Sequence, residues 1–313
     1  MKKLVVRANY PVANALIRLN RLILLQKNTA MNKENEIKNL VKEKYGSIAA
    51  QSKEQNQSSC CGSKGCSDEL CTIMSDDYTK LEGYNPDADL GLGCGIPTEF
   101  ARIGEGDTVI DLGSGAGNDA FVARRLVGES GKVIGVDFTE SMIAKARANA
   151  EKINYNNVEF RLGEIEDLPV TTNKADVILS NCVLNLVPNK HKSFSEIFRV
   201  LKPGGHFSIS DIVLEGMMPD KLKKVAELYV GCVAGAIQKK DYLSIIKEAG
   251  FSNISIHKEK NISIPDEIFL QYISGEELDN LKKKGPRIFS ITVSAEKPAK
   301  DERNCCEPGS GCC

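Results

Sequence analysis

Eleven cysteines in 313 residues are the most reactive groups this sequence carries, and they are unevenly placed. Four lie in CCGSKGCSDELC (Cys60, Cys61, Cys66 and Cys71) and four in CCEPGSGCC (Cys305, Cys306, Cys312 and Cys313), while Cys94, Cys182 and Cys232 stand singly between them. An odd count argues against complete pairing. In a reducing compartment, clustered thiols read as soft-metal ligands or redox groups rather than as structural disulfides. The three single cysteines are 88 and 50 residues apart, unlike the short paired spacing of a zinc ribbon. Brought together by a fold, they would offer three thiolates to a soft metal or metalloid. The competing reading makes each a small buried hydrophobe.

A fold able to do this is legible from residue 107 onward. DTVIDLG reads as a strand, 117–127 as a helix, KVIGVD as a strand and 140–152 as a helix. VEFRLG and ADVILSN read as further strands, 190–201 as a helix and GHFSISDIV as a strand. Strands separated by helices imply right-handed crossovers and a mainly parallel sheet covered on both faces, a doubly wound α/β domain. Beyond it, 219–230 and 240–249 read as helices and FSNISIHKE and RIFSITVSAEK as strands. A helix is expected at about 32–45, and Lys282 to Lys284 read as a solvated helix end. Cys182 falls at the carboxyl end of the fourth strand, where such sheets bind ligands.

The first strand runs into GSGAG, with Gly113, Gly115 and Gly117 before the following helix. Glycines here let the backbone turn sharply and a ligand approach the main chain at a helix N-terminus. KVIGVD then ends in Asp137, about 20 residues on, where a carboxylate can accept from both ribose hydroxyls of a nucleoside. A dinucleotide and S-adenosylmethionine both satisfy this pattern. Asp111 before the loop, GEIEDLP at 163–169 and VLKPGG at 200–205 together resemble the class I S-adenosylmethionine-dependent methyltransferases over about 105–215. That resemblance implies a seven-stranded Rossmann-like sheet. It places Asp111 and Gly113 to Gly117, with Ser114, at the methionine part of the cofactor and Asp137 on the ribose. Glu164, Ile165 and Glu166 fall beside the adenine, and Phe138, Met142 and Gly163 are assigned to the cofactor side. Asn181 would line the opening between cofactor and substrate.

LGLGCGIP, LGEIEDLP, SNCVLNL and ELYVGCVAGA, in this order around those motifs, closely resemble the arsenite methyltransferases from about 38 to 297. The resemblance implies that Cys182 and Cys232 bind trivalent arsenic, that Cys94 is a third thiol, and that an arm cysteine acts with it. Cys66 is preferred among Cys60, Cys61, Cys66 and Cys71. It also implies S-adenosylmethionine as methyl donor, arsenite or its thiol conjugates as substrate, and thioredoxin or glutathione as reductant. The chain then divides into a presequence or mis-assigned start (1–30), an N-terminal helix and Cys-rich arm (31–104), the methyltransferase core (105–215), a C-terminal α+β region covering the substrate (216–297) and a flexible Cys-rich tail (298–313).

Composition bounds these readings. A net charge of −1 gives no pull toward nucleic acid or anionic membrane, and no apolar run reaches the length of a membrane span. Residues 1–30 hold six Lys or Arg and no acid, which suits either a transit peptide or an upstream start with Met31 as the real one. His191, His206 and His257 lack metal-site spacing. A cytoplasmic monomer is expected. Two other functions stay open at this level: a methyltransferase of a small metabolite such as a quinone, and a thiol protein that sequesters metalloids.

Overall fold

The structure, a computed structural model, describes residues 35–36, 38–51, 76–217, 233, 235–264, 266–270 and 273–299. The chain divides into two compact units, Met1–Val41 and Lys42–Cys313. Of the first, residues 35–36 and 38–41 are helical. In the second, residues 42–49 are helical, so the helix expected to end near 45 runs on to 49. The helix expected over 219–230 lies outside the described residues.

Seven strands form one sheet in the order β3-β2-β1-β4-β5-β7-β6. These are β1 (Thr108–Leu112), β2 (Lys132–Asp137), β3 (Val158–Leu162), β4 (Ala175–Asn181), β5 (Leu201–Glu215), β6 (Ser252–Ile262) and β7 (Arg287–Glu296). All neighbouring pairs among the first five are parallel, and β7 lies antiparallel between β5 and β6. The crossover helices are α1 (Asn118–Val127), α2 (Glu140–Lys152), α3 (Lys190–Val200) and α4 (Lys239–Glu248), with α5 (Gly275–Lys284) preceding β7.

Alternation along the strands sorts the core into two layers. Val109, Val133, Val177 and Leu179 cluster with Phe121 of α1 and Met142 and Ala146 of α2. Ile110, Ile134 and Ile178 cluster on the other face with Phe194 and Ile197 of α3 and Tyr242 and Ile246 of α4. Burying each such side chain contributes roughly 1.5–3 kcal/mol. Because strand order reverses between β1 and β4, the helices part there and leave a crevice at the carboxyl ends of these two strands, after Leu112 and after Asn181.

The structure departs from the expected boundaries at β5. The VLKPGG turn does not precede this strand but is built into its start. Gly204 there has φ +82°, and a Cβ on Gly205 would lie 2.8 Å from the Asp176 carbonyl, so the chain keeps pairing with β4 through an irregular register. The helix α5 begins with a reciprocal cap, Glu277 N–H on Ser274 Oγ and Ser274 N–H on Glu277 Oε2.

Among the described residues, no helix is long and apolar enough to cross a membrane.

Candidate active site

Cys182 is the first residue beyond β4, 3% exposed, with its N–H donating to the Ser210 carbonyl of β5 at 2.8 Å. Its φ is +61°, which turns the chain out of the sheet and into the short 3₁₀ turn Leu184–Leu186.

Cys94 is 2% exposed and reaches the same sheet edge from a loop ahead of β1. Its N–H donates to Asn181 Oδ1 at 3.0 Å, and its carbonyl accepts from Ser290 Oγ of β7. The Asn181 amide also donates to the Gly95 carbonyl, Tyr78 Oη and Asp119 Oδ2 at 2.9, 2.8 and 3.0 Å. The residue before Cys182 is therefore the clamp that holds the Cys94 loop. Farther along, Ser208 Oγ donates to the Pro97 carbonyl, and His206 Nε2 meets the Ala101 carbonyl.

The glycines flanking Cys94 make this approach possible. A Cβ on Gly93 would lie 2.7 Å from Asn181 Nδ2, and one on Gly95 would lie 2.5 Å from Ser210 Oγ. Gly95→Ala must push the loop off β5. It is expected to cost ~1–3 kcal/mol of stability, read by denaturant unfolding, while the separate Gly113 to Gly117 loop keeps its conformation.

Cys94 and Cys182 belong to one apolar cluster with Ile212, Leu214, Val233 and Ala236. Neither forms a disulfide among the described residues. Cys232 lies outside the described residues, but its neighbour Val233 is in that cluster. Cys60, Cys61, Cys66 and Cys71, and the four C-terminal cysteines, also lie outside them. Among the described residues, no group of three His, Cys, Asp or Glu side chains is arranged to hold a metal.

The glycine loop borders the same place. Gly113, Gly115 and Gly117 have φ of +64°, +51° and +103°. A Cβ on Gly113 would lie 2.5 Å from the Val183 methyls, so the loop packs directly on the residue after Cys182. A Cβ on Gly115 would meet nothing within 4 Å, which leaves that side open. Asp137 Oδ2 accepts from Gly115 N–H at 3.0 Å and Oδ1 from Thr139 N–H at 2.8 Å. Asp111 Oδ2, Ser114 Oγ and Asn118 Oδ1 are buried around the loop without a hydrogen-bond partner.

Three comparisons bear on this arrangement. A family model described as "Methyltransferase domain" matches residues 103–250. An arsenite methyltransferase of Halobacterium salinarum is 41% identical over 280 residues, covering 85% of this chain and 68% of the relative. The chain belongs to the arsenite methyltransferase family. A family member from Aquipseudomonas alcaligenes is 34% identical over 229 residues, covering 71% of this chain and 64% of that one. The solved structure of an arsenic(III) S-adenosylmethionine methyltransferase from Chlamydomonas reinhardtii superposes with a TM-score of 0.57 at 35% identity, covering 66% of this chain and 68% of that one.

The donor set around the loop fits the cofactor this family uses. The buried Oδ2 of Asp111, which has no hydrogen-bond partner, suits a cationic amine, and Asp137, Ser114 and Asn118 suit hydroxyl and amine groups. Burial pushes the Asp111 carboxyl well above the usual range, and the Asp119 and Asp137 charges push it further. Burial also raises Asp119 to about 6 against the Asn181 and Tyr78 bonds, and raises Asp137 against its hydrogen bonds from the backbone N–H groups of Thr139, Gly115 and Phe138 and from the Thr139 side chain. The remaining residues assigned to the cofactor take varied places. Gly163 donates its N–H to the Asp137 carbonyl, Glu164 is exposed, and Glu166 is buried and accepts from Asn189 N–H at 3.0 Å. Ile165 and Met142 are buried in the two core layers, and Phe138 is half-buried.

Several residues of this site carry no sequence signal of their own. Tyr78 Oη donates to Asp119 Oδ1 at 2.8 Å and to the Gly95 carbonyl at 3.0 Å. Ser210, Ser290 and Thr292 are polar positions on inward faces of β5 and β7, visible only once the Cys94 loop is seen against them. On β5, Asp211 is fully buried, accepting from Tyr242 Oη at 3.2 Å and from Ile212 N–H at 2.9 Å. Burial pushes its pKa up to about 7, against the pull of Lys190. The folded state thus holds this proton where the unfolded chain has released it, between 3.8 and about 7. The stability it contributes is present below that window and lost as pH rises through it. Asp211→Asn is expected to flatten the fall in Tm across this range, read by thermal melts at a series of pH values.

Proposed function

We propose that this protein transfers a methyl group from S-adenosylmethionine to trivalent arsenic held by thiolates, giving methylated arsenicals. The observation that carries the reading is that two buried cysteines, Cys94 and Cys182, share one apolar cluster, and that Val183, the residue after Cys182, packs on the glycine loop at Gly113. Zinc would call for short paired ligand spacing. A metabolite methyltransferase needs a base for an O–H, N–H or C–H group, whereas the cluster around Cys94 and Cys182 is otherwise apolar.

When bound, S-adenosylmethionine supplies an electrophilic methyl group on a sulfonium sulfur. Asp111, the Gly113 to Gly117 loop and Asp137 hold it at the mouth of the crevice. Cys94, Cys182 and Cys232 take arsenite by exchanging its oxygens for sulfur, each thiol proton leaving with an arsenic-bound oxygen as water. The arsenic lone pair is the nucleophile and needs no general base. The apolar wall of Ile212, Leu214 and Val233 keeps water from the thiolates and fixes the approach. Forming the carbon–arsenic bond uses the arsenic lone pair and breaks the methyl–sulfur bond, S-adenosylhomocysteine leaves with that bond's electron pair, and arsenic is formally oxidised by two electrons. A dithiol such as thioredoxin, or two molecules of glutathione, returns them.

The test is mass-resolved arsenic speciation after incubating purified protein with arsenite, S-adenosylmethionine and a thiol reductant, beside Cys182→Ser and Cys232→Ser. Methylated arsenic from the parent and little from either variant is expected. Cofactor binding without any methylated product would overturn the arsenic assignment in favour of a metabolite substrate.

A further inference from the structure

Asp119 is the second residue of α1, the helix into which the glycine loop runs, and it is buried. A carboxylate taken out of water is costly unless it is hydrogen-bonded. Its two oxygens go to different partners: Oδ1 accepts from Tyr78 Oη at 2.8 Å and Oδ2 from Asn181 Nδ2 at 3.0 Å. Burial raises its pKa only to about 6, so at neutral pH it is ionised and can only accept. No step of the methyl transfer read above uses it.

The protons around it can be counted. Tyr78 Oη carries one and the Asn181 amide two. The tyrosine reaches Asp119 Oδ1 and, at 3.0 Å, the Gly95 carbonyl, and the amide reaches Asp119 Oδ2 and, at 2.9 Å, the same carbonyl. Three protons thus meet three acceptors, and the set closes with the tyrosine proton on Asp119 Oδ1 and the amide protons on Asp119 Oδ2 and Gly95. A group at 119 that only accepts keeps the nitrogen of the Asn181 amide turned toward it. That leaves Asn181 Oδ1 to accept from Cys94 N–H at 3.0 Å. With the amide reversed, its nitrogen would face the Cys94 N–H, donor against donor. Ser290 of β7 holds the Cys94 carbonyl, whereas the Cys94 N–H and the next carbonyl depend on a network that ends at Asp119.

We propose that Asp119 is a positioning residue for the Cys94 thiol: by fixing Tyr78 and the orientation of the Asn181 amide, it sets where the loop presents Cys94 in the cluster shared with Cys182. The inference rests on Cys94 being an arsenic ligand, as read above. Asp119 acts through its two partners and has no part at the reacting atoms.

The experiment compares the full chain with Asp119→Ala, Asp119→Asn and Cys94→Ser. The readouts are the number of arsenic–sulfur bonds by X-ray absorption on protein loaded with one equivalent of arsenite and no added thiol, kcat at saturating cofactor, and the S-adenosylmethionine Kd. Both Asp119 variants lose a charge that Asp111 feels, so any change in cofactor affinity from that loss is common to the two. Only Asp119→Asn keeps an oxygen for Asn181 and offers an N–H to Tyr78 Oη, whose proton then goes to Gly95. Asp119→Ala is expected to lose one sulfur as Cys94→Ser does, and to drop kcat by about 10²-fold, the scale of an ångström misplacement. Asp119→Asn is expected to keep the parental sulfur count and most of the parental kcat. The same count in both Asp119 variants, whether parental or lowered, would overturn the proposal. So would a cofactor Kd raised in Asp119→Ala well beyond that of Asp119→Asn, which would put the residue in the cofactor site. Equal counts in the parent and Cys94→Ser would instead take Cys94 off the arsenic, and the proposal with it, while methylated arsenic from the parent would leave the proposed function standing. If Asp119→Ala fails to fold, Asp119→Ala/Tyr78→Phe, which also removes the tyrosine hydroxyl that loses its acceptor, answers the same question against Tyr78→Phe alone.

Discussion

Cys182→Ser is expected to abolish arsenic methylation while leaving the dissociation constant of S-adenosylmethionine unchanged. Serine keeps the side-chain shape and makes the same demand on the backbone at φ +61°, so the fold tolerates it. The hydroxyl is a hard ligand that does not ionise near neutral pH, whereas trivalent arsenic selects thiolate. Removing a group central to the reacting complex lowers turnover by ~10³-fold or more. The Asp111 and Asp137 carboxylates and the glycine loop are untouched, so isothermal titration with cofactor should give the parental Kd. Parental rates of methylated arsenic from this variant would remove Cys182 from the mechanism.

Gly113→Ala should damage both halves of the site at once. The added Cβ meets the Val183 methyls at 2.5 Å, inside any real contact distance, and the φ of +64° suits glycine. The left-handed backbone costs roughly 1–2 kcal/mol for alanine, and the overpacking adds ~1–3 kcal/mol. For a domain of this size the sum corresponds to a fall in Tm of about 10 °C. Since Val183 follows Cys182, relieving the clash moves the thiol as well as the loop, so cofactor affinity and arsenic coordination should fall together. Retention of either at the parental value would show that the two are not mechanically joined. This variant contrasts with Gly95→Ala, which strains only the thiol side.

The parallel core was legible because its signals are local and agree with one another. KVIGVD and ADVILSN are continuous apolar strands, and α2 was expected over 140–152, the span it occupies. The glycine turn was legible too: Gly113, Gly115 and Gly117 take positive φ between β1 and its helix, and Gly115 N–H donates to Asp137. What was not legible depends on long-range packing. No local pattern in a loop such as LGLGCGIP indicates that Asn181, 87 residues on, will clamp its backbone. The polar residues Ser208, Ser210, Ser290 and Thr292 look like ordinary interruptions of apolar strands until the loop that uses them is in place. The start of β5 was misread because Pro203 and two glycines signal a turn, whereas pairing to β4 on one side and to Lys297 on the other keeps the chain in the sheet. The α5 cap was written in the sequence as Ser-Gly-Glu-Glu, a signal that a search for chemistry passes over.

Among the described residues, the non-glycine positions with positive φ are Asn154, Asn173 and Asn253, together with Arg102 and Cys182. Asparagine is at home in that conformation, and cysteine is not. The bend that ends β4 therefore carries roughly 1 kcal/mol of backbone strain that a glycine would not, yet it holds one of the three thiols proposed to bind arsenic. Selection for heat resistance and selection for arsenic tolerance pull this codon in opposite directions. A library screened for thermal survival alone should accumulate glycine or asparagine at 182. One screened on arsenite-containing medium should hold cysteine there.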